Sequence, residues 1–65
     1  MERNFKVLDE DVDYLVGLKN NTGKFSAIYK AKEESLEEAI GRCNERGIKK
    51  PVIIKITTQE LEEDI

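Results

Sequence analysis

The sequence predicts an α+β fold of two layers. The order is (β)ββαβ, with a three- to four-stranded, mainly antiparallel sheet and one helix packed on one face. Three observations predict it: two alternating apolar runs around a turn-forming cluster, an amphipathic segment with start and stop signals, and a β-branched run after it. All of this fits one small domain spanning residues 1–65, with an ordered core over about 5–56.

Phe5, Val7 and Leu8 are the material for a short leading strand. In the next run, Val12, Tyr14, Val16 and Leu18 fall on one face of a strand. A helix over residues 10–19, capped by Asp9, is the alternative, but Gly17 and the β-branched valines oppose it. Asn20-Asn21-Thr22-Gly23 holds residues that tolerate a positive φ and therefore turn. The returning strand alternates Phe25, Ala27, Tyr29 and Ala31.

The helix opens on Ser35-Leu36-Glu37-Glu38. In this capping box the Ser35 hydroxyl would accept from the Glu38 amide. Leu36, Ala39, Ile40 and Cys43 make its apolar stripe. Glutamates 33, 34, 37 and 38 crowd its positive end, and Arg42 and Arg46 its negative end. Gly47 suits a left-handed C-terminal cap and Pro51 blocks continuation. Val52-Ile53-Ile54-Lys55-Ile56 is then a strand. Val52, Ile54 and Ile56 would face the helix or hairpin, and Ile53 on the other side suggests a central strand or an interface. Residues 58–65 read as an acidic tail or a short terminal helix, with Leu61 and Ile65 four apart.

Composition narrows the chemistry. At 65 residues the core is marginal. Cys43 is the only cysteine and histidine is absent, so no internal disulfide or common zinc set is available. The lone thiol and the absence of an apolar leader point to a cytoplasmic protein without a signal peptide. No apolar run approaches the roughly 20 residues that span a bilayer.

Without histidine there is no Ser–His or Cys–His pair, and Cys43 lies on the apolar stripe where a thiol is inert packing. The expectation is therefore no enzyme, no catalytic residue, no cofactor and no metal. Asp9, Asp11 and Asp13 match positions one, three and five of a calcium loop, but Tyr14 stands at the glycine position and Asn20 at the bidentate glutamate. Thr22-Gly23-Lys24 lacks the spacing and the helix of a phosphate loop.

Charge comes in blocks that sum to −3. Acids dominate residues 1–13, 33–38 and 58–65, and bases dominate 19–32 and 42–55. The first functional expectation is a small non-enzymatic binding or regulatory module acting through protein–protein contacts, at a sheet edge or helix face, with a protein partner or by self-association as a homodimer. The second is RNA or single-stranded nucleic-acid binding through Lys19, Lys24, Lys30, Lys49, Lys50 and Lys55, with Phe25 and Tyr29 as stacking candidates. The third is a small phage- or antitoxin-type inhibitor that presents an acidic surface.

Two resemblances accompany these readings. Residues 18–56 resemble the second half of an RNA-recognition motif: Thr22-Gly23-Lys24 as the turn, Phe25-Ser26-Ala27-Ile28-Tyr29 as an aromatic strand, Glu38-Ala39-Ile40 in a helix, then a basic strand. That family's first strand and first helix have no counterpart here. Residues 10–56 resemble the HicB-like antitoxins in the strand Tyr14-Leu15-Val16 and the helix opening Ser35-Leu36-Glu37-Glu38-Ala39-Ile40. Lys32, Glu33 and Glu34 replace the glycine usual before that helix.

Overall fold

The computed structural model describes residues 3–64. The elements are β1 (Phe5–Lys19), β2 (Phe25–Ala31), a 3₁₀ turn (Glu33–Ser35), α1 (Leu36–Glu45) and β3 (Val52–Glu63). The sheet is antiparallel in the order β2-β1-β3. An α+β fold with one helix and a three-stranded antiparallel sheet is therefore present. The expected fourth strand is not a separate element, because residues 5–8 are the start of a fifteen-residue β1.

The alternation of Val12, Tyr14, Val16 and Leu18 puts them on one face of β1, the face on which Val16 packs against α1. The β1–β2 turn is built by Asn20. Its Oδ1 accepts from the Thr22 amide (2.9 Å), the Thr22 hydroxyl (2.6 Å) and the Lys24 amide (3.0 Å). Gly23 takes φ +84°, which a side chain would resist.

The helix begins differently from the expected capping box. Ser35 makes no side-chain cap with Glu38. Its hydroxyl instead accepts from the Lys32 amide (3.1 Å), closing the 3₁₀ turn that joins β2 to α1. The C-terminus follows the sequence: Gly47 has φ +91°, its amide bonds the Asn44 carbonyl, and the Ile48 amide bonds the Cys43 carbonyl.

Val16, Ala31, Ala39 and Cys43 form the buried core, with Tyr29, Leu36, Ile40 and Ile48 packed against it. The apolar stripe of α1 thus meets β1 and β2, while β3 lies largely clear of the helix. Gly17 marks the tightest backbone approach, since a Cβ there would lie 1.9 Å from the Ser26 carbonyl oxygen. The β1–β2 register slips between Val16 and Gly17, leaving Ile28 as the extra residue of a bulge.

Three strand expectations change. First, the bulge separates Phe25 and Ala27 from Tyr29: Tyr29 pairs with Val16, but Ala27 pairs with Gly17 and Phe25 with Lys19, on the opposite face. Second, Ile53 pairs with buried Val16 on the helix-bearing face, whereas Ile54 pairs with Leu15 on the back, so Val52, Ile54 and Ile56 face away from the helix. The strand is also an edge and not the centre, because β1 takes the middle. Third, Thr58–Glu63 is neither tail nor helix but strand, paired with Phe5–Asp11. The part of that expectation resting on Ile65 lies outside the described residues.

Candidate interaction surface

β1 and β3 run on well past the helix. From Phe5 to Asp13, β1 pairs only with β3, because β2 begins to pair at Tyr14. The result is a two-stranded arm, residues 5–13 against 56–63, on a flat body measuring 52 × 29 × 12 Å. Among the described residues both edges of this arm are open, and the outer edge of β3 is open along all twelve residues. Open edges carry unpaired amide and carbonyl groups in register for another strand.

The end of the arm is apolar on one side. Val7 pairs directly with Leu61, and Phe5 follows two residues away on the same face. A bulge at Leu8 interrupts the ladder between Val7 and Asp9. Phe5 (52%), Val7 (50%), Leu8 (48%) and Leu61 (47%) are each about half exposed, so the arm has no core of its own. Grouped exposed side chains of this kind mark contact surfaces more often than scattered ones do.

Electrostatics divide the molecule in two. Within residues 3–13 and 56–64, eight acids stand against Arg3 and Lys6, a net of −6. Within residues 14–55, nine bases stand against Glu33, Glu34, Glu37, Glu38 and Glu45, a net of +4. The halves meet at Lys32, whose ammonium lies 2.8 Å from Asp11 and 2.7 Å from Asp13. The bond from Lys32 holds the Asp11 carboxyl below its ordinary range, and the two aspartates hold the Lys32 ammonium charged well above its own. Asp11 and Asp13 therefore clamp β1 to the end of β2, and no cluster of three potential metal ligands forms among the described residues. Farther out, Gln59 donates to Glu10 (3.0 Å), whereas Asp9 and Glu60 are directly opposed like charges.

The sequence-predicted binding residues scatter. Lys19 and Lys24 lie at the hairpin end. Lys49 and Lys50 lie in the loop that feeds β3 at the same end, since Val52 pairs with Gly17. Lys30 and Lys55 lie on opposite faces, Lys30 paired with Leu15 and Lys55 with Tyr14. Tyr29 packs on the core and Phe25 is half-buried on the other side of the sheet, so the pair makes no common stacking platform. What the structure brings together is a basic end, Lys19, Lys24, Lys49 and Lys50 with Arg46, none in an ion pair among the described residues.

Sequence reasoning missed the arm. The signal was there in Thr57 and Thr58, β-branched residues that extend the Val52–Ile56 run, and in the Phe5–Val7 alternation. No helix of the described residues is long and apolar enough to cross a membrane. A scan of protein-family models found no match to the chain, and searches of curated proteins and of solved structures found none either.

Proposed function

We propose that this chain is a non-enzymatic interaction module whose contact surface is the acidic β1–β3 arm and its open edges. The observation carrying this reading is a β3 edge unpaired over twelve residues beside four half-exposed apolar side chains. A protein strand added there would satisfy the ladder groups and lie beside Leu61. The test is a photo-crosslinking residue placed at Thr58, on the arm, and separately at Glu37, on the exposed back of α1. In cells making the protein, Thr58 should give protein adducts and Glu37 none. Adducts at Glu37 alone, or at neither position, would overturn the reading.

A second reading is supported by the basic end. Lys19, Lys24, Arg46, Lys49 and Lys50 lie toward that end, none in an ion pair among the described residues, an arrangement that attracts phosphate. Single-stranded RNA titrated at low salt should bind the parent and lose affinity in the Lys19→Glu, Lys24→Glu variant. Equal binding by both proteins would remove this reading.

A further inference from the structure

We infer that the outer edge of β3 pairs with the β3 edge of a second copy of this chain, antiparallel about a two-fold axis, into one six-stranded sheet. This rests on the arm being a contact surface and adds the identity of its partner.

The two outer strands of the sheet are built differently. β2 is short, carries the Ile28 bulge and has Lys24, Lys30 and Lys32 along or beside it, features that discourage a further strand. β3 has less of that protection. Both bulges lie on other strands, no proline occurs from Val52 to Glu63, and Lys55 is its only lysine. The helix lies over β1 and β2 and does not shield it.

Charge selects the occupant. The first half of this edge and its feeding loop carry Lys49, Lys50 and Lys55 with no acid from Arg46 to Gln59. The second half carries Glu60, Glu62, Glu63 and Asp64 with no base. An antiparallel second copy sets each acidic half against a basic half, and symmetry makes the match twice. A parallel copy would oppose like charges at both ends. Closed two-fold pairing also uses up the β3 edge, so pairing through β3 stops at two chains.

The pleat allows the match. An axis perpendicular to the sheet keeps both helices on one face, and directly opposite residues then share a face. Centred on Thr57, the pairing sets Ile53, 41% exposed, against Leu61 of the second copy, 47% exposed. Ile53 and Leu61 both lie on the helix-bearing face, and each gains an apolar neighbour its own chain does not supply. The same register brings Lys50 beside Asp64 of the second copy.

Two charge reversals and their mixture test this. Lys49→Glu with Lys50→Glu and Lys55→Glu makes the whole edge acidic. Glu60→Lys with Glu63→Lys makes it predominantly basic. In sedimentation equilibrium the parent should be a dimer that weakens with added salt. Each variant alone should dissociate about tenfold more readily or worse, and an equimolar mixture should recover the dimer, because it restores opposite charge across the edge. Recovery on mixing shows that neither variant simply failed to fold. A monomeric parent, or a dimer indifferent to both reversals, overturns the inference. If Thr58 adducts then prove to be with a different protein, the two-fold pairing falls while the arm remains a contact surface.

Discussion

The same two strands behave differently at their two ends. Near α1, β1 buries Val16 completely and pairs it with Tyr29 and Ile53. In the arm, the equally apolar Val7 pairs with Leu61 and both stay about half exposed. β1 and β3 stay paired from one region to the other, across the bulge at Leu8, so backbone pairing alone does not create a core; a second layer does. Charge follows the same division, with the helix-covered region positive and the bare arm negative. An apolar, charge-segregated ribbon without a second layer is the signature of a surface completed by something outside the chain.

The largest way to break the contrast is at Gly17. A methyl group there meets the Ser26 carbonyl oxygen at 1.9 Å, and backbone cannot swing aside as a side chain can. Gly17→Ala should cost about 3 kcal/mol, enough to unfold much of a domain this small. A thermal melt followed by circular dichroism checks it. Stability equal to the parent would mean that the bulge is not where the helix-covered region is pinned.

A matched pair of truncations sharpens the comparison. Ile40, packed against the core, should cost about 2 kcal/mol on change to alanine. Leu61→Ala removes as large a side chain from the arm but should cost only about 0.5 kcal/mol when measured at low protein concentration. Urea titrations of both variants decide it. Equal losses would show that the arm is packed as tightly as the helix-covered region.

Much of the helix-covered region could be read from residues. Gly47 announced the helix end, Leu36, Ala39, Ile40 and Cys43 its core-facing stripe, and Asn20 to Gly23 the hairpin turn, because each is decided by local sterics or by one period. Three features were hidden. A bulge leaves the apolar pattern of β2 unbroken while rotating Phe25 away from Tyr29, so alternation placed them together. Ser35 serves the Lys32 amide within a 3₁₀ turn, which the spacing to Glu38 does not reveal. The second half of the last strand, after Ile56, was hidden because Thr-Thr-Gln-Glu also spells a helix start, and only the partner segment Phe5–Asp11 decides between them. Of the candidate residues, Lys19, Lys24, Lys49 and Lys50 do converge at one end, but through the pairing of Gly17 with Val52, which no local pattern encodes.

Amide hydrogen exchange read residue by residue over a protein dilution series tests the central claim most directly. If the arm is a surface completed from outside the chain, protection across Thr57–Glu63 should rise with protein concentration, while Ala39–Cys43 in α1 stays constant. Arm amides that exchange as slowly as those of the helix at every dilution, or rapidly at every concentration, would contradict it.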